Sequence, residues 1–280
     1  LQELVYLNGW TGTFDEATIS VNDRGFNFGD GIYEVVRVYE SRLFAMDDHL
    51  DRLERSAKAI DLDLPWQKQE LTAITEELLA ESGISEAMVY IQVSRGTAHR
   101  NHIYNEEIKP NILVTVRSVP ERSPAMYQNG VKLITQPEFR WQMCHVKSIS
   151  LLGNVLAKNR AHRAGAAEAV FVHPDGTVTE CSASNIFIYS NGQLLTHPAD
   201  NKILAGITRK HVLAAAESLN LPFAEKPFKI NELMKAEEVF FTGTIVELVP
   251  VVEVDGQSVA GGKPGPVTAK LHQEFTSLRK

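Results

Sequence analysis

Lys147 is the residue most out of keeping with its surroundings. From Trp141 to Ala157 no other Lys, Arg, Asp or Glu occurs, and Met143, Val146, Ile149, Leu151 and Leu152 flank it. Apolar surroundings disfavour an ammonium relative to the neutral amine, and a neutral amine can attack a carbonyl to form a Schiff base. The same pattern also fits a lysine that buries its stem and keeps its head in water. Glu180 lies in Thr179-Glu180-Cys181-Ser182-Ala183-Ser184-Asn185, at the end of an expected strand. A carboxylate held there could accept a hydrogen bond from a ring nitrogen and keep that nitrogen protonated; an exposed strand glutamate is the plainer alternative. Arg52 follows His49 by three and precedes Ser56 by four, so the three share a helical edge. A half-buried arginine suits a phosphate, because its planar fork donates two parallel hydrogen bonds; an ion pair with Asp48 would explain it equally simply.

Two backbone sites could assist an anion. Gly206-Ile207-Thr208 opens an expected helix, where N–H groups lack helical partners. Thr242-Gly243-Thr244 is a glycine-containing turn with hydroxyls on either side. Arg100-Asn101-His102 lies in a polar stretch and could clamp a small carboxylate, with Tyr33 as a further donor. The alternative is a solvated loop with a few positive charges.

The elements needed to hold these groups are legible in outline. Asn8-Gly9 is a hairpin signal after the apolar run Leu4 to Leu7. Ile32 to Tyr39 is rich in β-branched and aromatic residues and predicts a strand. Gly25, Gly29 and Gly31 make the approach to it permissive. Asp47 or Asp48 is expected to cap a helix running to about Ile60, with Leu50, Leu53, Ala57 and Ile60 as its apolar seam. A second helix spans Gln67 to Glu81. Strands are expected at Met88 to Val93 and Asn111 to Val116, with a long polar loop between them. The proline-containing stretch 119–124 reads as a linker. It separates a small N-terminal domain (1–118) from a larger C-terminal one (125–280) that carries Lys147. In the second domain a strand starts at Val131 and a helix runs from about Ser150 to Ala164. Short strands at 169–173, 177–181, 185–189 and 193–196 read as an antiparallel meander. A helix from Thr208 to Leu219 and strands near 238–242 and 248–254 complete the expected elements. Strands and helices are grouped rather than alternating, which indicates an α+β fold.

Composition narrows the chemistry. The chain has 280 residues, a net charge of −7 and 44% hydrophobic residues. That excludes disorder and gives no electrostatic basis for nucleic-acid binding. No apolar run reaches the ~18 residues of a spanning helix, and no secretory signal is visible. Two distant cysteines, Cys144 and Cys181, are expected to be reduced thiols in the cytoplasm. Phosphate-loop, dinucleotide and nucleophile-elbow motifs are missing. His99 and His102 lack an obvious third ligand, so a metal is not expected.

Several segments together resemble fold-type IV pyridoxal-phosphate (PLP) enzymes. They are Asp23 to Glu34 (Asp-Arg-Gly-Phe-Asn-Phe-Gly-Asp-Gly-Ile-Tyr-Glu), His49-Leu50-Asp51-Arg52-Leu53, Val146-Lys147-Ser148, Thr179 to Asn185, Ile203 to Arg209 and Thr244 to Glu247. Within that family the resemblance is greatest to the D-amino-acid aminotransferases, through Arg100-Asn101-His102 and the run Lys147 to Gly153. It implies a two-domain α+β fold, with a small sandwich-like α/β domain and a larger domain built on an antiparallel sheet or pseudo-barrel. It implies that Lys147 holds pyridoxal 5'-phosphate covalently and moves the substrate proton, and that Glu180 pairs with the ring nitrogen. Arg52 would hold the phosphate, helped by Ile207, Thr208 and Thr244, and Leu204 would pack on the ring. Tyr33, Arg100 and His102 would bind the substrate carboxylate, the last two reaching across a homodimer. Cys181 and Ala183 depart from the serine-rich run usual after the glutamate. The expected activity is transfer of an amino group between D-amino acids and 2-oxo acids. (R)-amine or L-branched-chain transaminases and aminodeoxychorismate lyase are the alternatives within the fold. A non-catalytic binding protein is the alternative outside it.

Overall fold

Runs of β-branched residues in the first part of the chain pair into one sheet. The computed structural model describes residues 1–279. Contacts divide the chain into a first unit, Leu1–Pro120 with Val146–Leu151, and a second unit, Glu121–His145 with the residues from Leu152 onward. The first boundary between the units falls between Pro120 and Glu121. The short segment around Lys147, expected in the C-terminal domain, instead packs with the first unit.

The first unit contains β1 (Leu4–Leu7), β2 (Trp10–Gly12), α1 (Arg24–Phe28), β3 (Gly31–Tyr39), β4 (Arg42–Leu43), α2 (Met46–Ala59), α3 (Lys68–Ser82), β5 (Ala87–Ser94) and β6 (Asn111–Ser118). The six strands form an antiparallel sheet in the order β2-β1-β6-β5-β3-β4. Along β5, buried positions alternate with more open ones, as the two-residue period of a pleated strand requires. Helix α2 packs on β3 and α3 on β1 and β6. The α2 seam is buried through Leu50, Leu53 and Ala57, and truncating such a leucine costs about 2–5 kcal/mol. Neither Asp47 nor Asp48 is the cap of α2. Ala45 holds that position with φ 52°, and the two aspartates lie in the first turn, where they complement the helix dipole.

The 146–151 segment extends the sheet along the edge of β3. Ile32 bridges Ser148, the Tyr33 N–H donates to Lys147 O at 2.9 Å, and the Ile149 N–H donates to Gly31 O at 3.1 Å. Glycine makes this close approach possible. A Cβ at Gly31 would lie 2.6 Å from Val93 O and 2.9 Å from Ile149 Cδ1. Gly29 ends α1 at φ +67°, where its Cβ would meet Ser150 Oγ at 2.5 Å.

The second unit contains α4 (Pro124–Asn129), β7 (Val131–Pro137), α5 (Leu152–Arg163), β8 (Glu168–Val172), β9 (Thr177–Cys181), β10 (Asn185–Ser190), β11 (Gln193–Thr196), α6 (Ile207–Ser218), β12 (Phe223–Glu225), β13 (Phe228–Lys229), α7 (Ile230–Met234), β14 (Glu238–Gly243), β15 (Glu247–Val254), β16 (Gln257–Ser258) and α8 (Pro266–Leu278). They surround a curled ten-stranded sheet, mostly antiparallel, with parallel joins at β15–β7, β7–β8 and β11–β12. The expected four-strand meander is broken. β9 pairs with β8 and β13, β10 pairs with β11 and β14, and Ser182 to Ser184 carry the chain from one pair to the other. The apolar run from Val239 to Val252 is two strands, β14 and β15, joined by a turn. Helices α1, α4, α7 and α8 were not expected from the sequence. α4 and α8 both begin at a proline, which suits a first helical turn.

Candidate active site

In the first unit, Lys147 is clamped by its backbone. Its N–H donates to Ser56 Oγ at 3.1 Å and its carbonyl accepts from Tyr33, so α2 and β3 set the side chain's origin. The ammonium lies 4.2 Å from the centre of the Tyr33 ring, and a cation over an aromatic face is attracted by the ring quadrupole. Lys147 is half-buried. Of the apolar residues flanking it in sequence, Val146 is buried and Leu152 is 72% exposed.

Arg52 is buried and pairs with Glu34 on β3. Nε donates to Oε1 at 2.7 Å and Nη2 to Oε2 at 2.8 Å, while His49 Nδ1 meets Oε2 at 2.7 Å. Burial alone would raise the Glu34 carboxyl, but the Arg52 charge and the hydrogen bonds from Arg52 and His49 outweigh it and hold the group at about 2. His49 is pushed down by burial and by the charges of Arg52 and Lys147, against the pull of Glu34. A neutral imidazole that donates from Nδ1 to a carboxylate presents Nε2 as an acceptor, and among the described residues that buried atom has no partner.

Arg100 and His102 are exposed and do not meet Tyr33 within the chain. They sit on the Phe28 ring, the Arg100 guanidinium 5.0 Å and the His102 ring 5.4 Å from its centre. Tyr33 stacks on Tyr90 at 5.5 Å.

In the second unit, Glu180 is buried near the end of β9. Arg140 Nη1 donates to Oε1 at 2.6 Å, and Asn185 Nδ2 and the Leu204 N–H donate to Oε2 at 3.2 and 3.0 Å. Burial pushes the carboxyl up to about 7, against Arg140 and the Leu204 N–H. Arg140 is shared with Glu138, whose oxygens accept from Nε and Nη2, and the Glu138 charge pushes Glu180 the same way as burial. Asn185 also donates to Leu204 O at 2.8 Å. Gly206 begins α6, with no side-chain cap over its first turn. A Cβ on Gly206 would fall 2.1 Å from Asn185 Oδ1, so glycine lets the helix start come up against Asn185. Glu180, Leu204 and the first turn of α6, with Ile207 and Thr208, are therefore one connected group. Thr244 lies in the turn after β14, and the nearby Thr242 Oγ1 is buried without a partner among the described residues.

Residues 31–254 match the model of the amino-transferase class IV family. The chain belongs to the class IV aminotransferases. It is 47% identical over 264 residues to the D-alanine aminotransferase of Listeria monocytogenes serotype 4b (strain F2365), covering 93% of this chain and 91% of that one. It is 42% identical over 274 residues to the D-alanine aminotransferase of Staphylococcus aureus (strain MSSA476), covering 98% and 96%. Among solved structures, the branched-chain aminotransferase of the thermophilic archaeon Thermoproteus uzoniensis, determined with norvaline, superposes with a TM-score of 0.88 at 29% identity, covering 98% and 94%. The fold is fold-type IV and the protein is an aminotransferase.

For a class IV aminotransferase the side chains suit a phosphorylated pyridine cofactor. Thr242 Oγ1, beside the Thr244 turn, is one of five buried side-chain polar atoms without a protein partner among the described residues, although buried polar groups are nearly always paired, and a hydroxyl there can donate to a phosphate oxygen. A carboxylate poised near neutrality has lone pairs to spare for an added N–H. Four residues of this aminotransferase escaped selection from the sequence as acting groups: Glu34, Glu138, Arg140 and Asn185. Glu34 and Asn185 stand inside quoted motifs. Glu138 and Arg140 are two apart just beyond β7, a spacing that would have put them on one face.

Proposed function

We propose that this aminotransferase moves the amino group between D-amino acids, D-alanine among them, and 2-oxo acids such as 2-oxoglutarate, using pyridoxal 5'-phosphate in two half-reactions of a ping-pong cycle. When bound, the cofactor supplies an aldehyde and a cationic ring that draws electrons from the substrate α-carbon. Lys147 Nζ anchors it through that aldehyde. The same amine would hold and move the proton at the substrate α-carbon. Glu180 would accept from the ring nitrogen, and a cationic N–H there would favour its ionised carboxylate and be held protonated by it. Arg52 takes the phosphate together with the N–H groups of Ile207 and Thr208 and the Thr244 hydroxyl, and Leu204 packs on the ring. Tyr33, Arg100 and His102 bind the substrate carboxylate and fix which face of the α-carbon meets Lys147.

The reading of the substrate rests on one observation: the identity to D-alanine aminotransferases is 42–47% over nearly the whole chain, against 29% to a branched-chain enzyme of the same fold. We assign a homodimer in which the Arg100 loop serves the partner subunit. Exposed apolar side chains support it: Phe26 at 75% and Ile103 at 81%, with Ile19 and Val21, in the first unit. In the second unit Leu152, Val155 and Leu156 form an exposed stripe along α5. Both cysteines are free thiols, which suits the reducing cytoplasm.

The decisive assay incubates the purified yellow protein with D- or L-alanine, or L-leucine, plus 2-oxoglutarate, and resolves the product enantiomers. Preference for D-alanine is expected. Inert D-alanine beside rapid L-leucine turnover would overturn the substrate assignment. Borohydride reduction followed by peptide mass spectrometry should place the pyridoxyl group on Lys147; a label on another side chain refutes the mechanism.

A further inference from the structure

The loop that carries Arg100 and His102 is exposed from His99 to Glu107, and it rests on a buried ionic cluster. Asp30 lies between two arginines, accepting from Arg24 Nε at 2.8 Å and from Arg95 Nε at 3.0 Å. Arg24 is 4% and Arg95 6% exposed. Arg24 turns its other nitrogens to the loop backbone: Nη1 donates to Asn101 O at 2.6 Å and Nη2 to His102 O at 3.4 Å. Its guanidinium also faces Phe28 at 4.9 Å and Tyr104 at 5.6 Å. Arg95 lies 3.9 Å from the centre of the same Tyr104 ring. The two terminal nitrogens of Arg95 donate to Ile60 O and Asp61 O, both at 2.7 Å, just past the end of α2.

This arrangement grips a chosen place. The two carbonyls held by Arg24 belong to the peptide units that follow Arg100, and Phe28, which Arg24 covers, touches both the Arg100 and His102 side chains. Charge-assisted bonds from a buried fork are short and directional, so they define position where an exposed loop otherwise has little to define it. Through Arg95 the same cluster is tied to α2, the helix that carries Arg52.

We infer that Arg24, Asp30, Arg95 and Tyr104 form a clasp that positions Arg100 and His102 and thereby sets the affinity for the substrate carboxylate. These are positioning residues; none of them touches substrate. The inference rests on the proposed role of Arg100 and His102 as that receptor.

Steady-state kinetics of the holoenzyme with D-alanine and 2-oxoglutarate test it. Tyr104→Ala removes the ring against which both arginines lie, at an exposed position where folding tolerates the change. It should raise KM for D-alanine about tenfold while kcat stays within about threefold, the signature of lost binding shared by ground and transition states. Tyr104→Phe keeps the ring and should return KM to near the wild-type value. Arg24→Lys keeps the charge but loses the fork, and should raise KM in the same way. The cofactor absorbance and loading should match the parent in each variant. Unchanged KM in both Tyr104→Ala and Arg24→Lys overturns the inference, as does a fall in kcat and cofactor loading with KM unmoved. Arg100→Ala is run alongside. If it leaves KM unchanged, the receptor reading itself is wrong; if it raises KM while the clasp variants do not, only the clasp fails.

Discussion

Each unit of this aminotransferase buries a glutamate against an arginine, and the two pairs end in opposite states. Glu34 is held at about 2 and Glu180 is pushed up to about 7. The difference lies in how completely each charge is answered. Arg52 gives Glu34 both arms of its fork, and His49 adds a third donor. Arg140 gives Glu180 one nitrogen and spends two others on Glu138; the rest of the Glu180 shell is a side-chain amide and one backbone N–H. Neutral donors offset only part of the cost of taking a carboxylate out of water. Glu34 is thus a finished ion pair that shapes the protein around Arg52. Glu180 is an unfinished one, which a cationic N–H would complete.

If that distinction is right, removing each carboxylate should damage a different property. Glu180→Gln should lower single-turnover transamination by about a thousandfold, within the range by which a positioned proton-holding group contributes. Its unfolding free energy in urea above pH 7 should not fall. A variant that keeps more than a tenth of wild-type turnover would remove Glu180 from the chemistry. Glu34→Gln should do the reverse. Loss of a carboxylate shifted by that much costs about 3 kcal/mol of stability at pH 7, and turnover should suffer only as far as Arg52 releases the phosphate, so added cofactor should restore it. Loss of turnover at saturating cofactor with stability intact would erase the contrast.

In the cofactor-free protein the two groups act on the pH dependence of stability with opposite sign. The Glu34 carboxyl is depressed, so the stability it confers is present above its ordinary value of 4.5 and is lost as pH falls from there towards 2. The Glu180 carboxyl is raised, so the folded state holds a proton that the unfolded chain releases, and stability falls as pH rises from 4.5 through 7. Urea unfolding across this range should show both limbs, Glu34→Gln losing the acid one and Glu180→Gln the other. Parallel curves for wild type and either variant would contradict the assignment for that residue.

The sequence disclosed one half of each pair and hid the other. Arg52 and Glu180 were visible because they stand in recognisable strings at helical or strand spacing. Their partners come from elsewhere in the fold: Glu34 from β3, eighteen residues before Arg52, and Arg140 from the stretch after β7, forty residues before Glu180. Nothing local encodes such a contact, since sheet order sets it. The same limit explains the broken meander. Asp175-Gly176 and Asn191-Gly192 lie in the turns of two hairpins, β8–β9 and β10–β11. The short polar stretch between them gives no sign that the chain is changing neighbours within a curled sheet. Lys147 stood out by its isolation from other charges, yet its setting on the edge of β3 depends on Gly29 and Gly31, more than a hundred residues away.

The finest test of the unfinished pair is Asn185. Its amide donates both to Glu180 Oε2 and to Leu204 O, so it joins the carboxylate to the backbone of the segment leading into α6. Asn185→Ala removes one neutral donor and leaves Arg140 and the Leu204 N–H in place. The loss should be about 2 kcal/mol, the net worth of the two hydrogen bonds the amide makes. It should also be unequal across pH. The amide stabilises the ionised carboxylate more than the acid, so its removal should cost more at pH 8 than at pH 5 and steepen the alkaline limb, as Glu180 becomes still more reluctant to ionise in the fold. Urea midpoints at the two pH values, with unchanged slope, measure this directly. An equal loss at both would mean that Asn185 serves only the Leu204 carbonyl, and that the poise of Glu180 is set by burial, Arg140 and Glu138 without it.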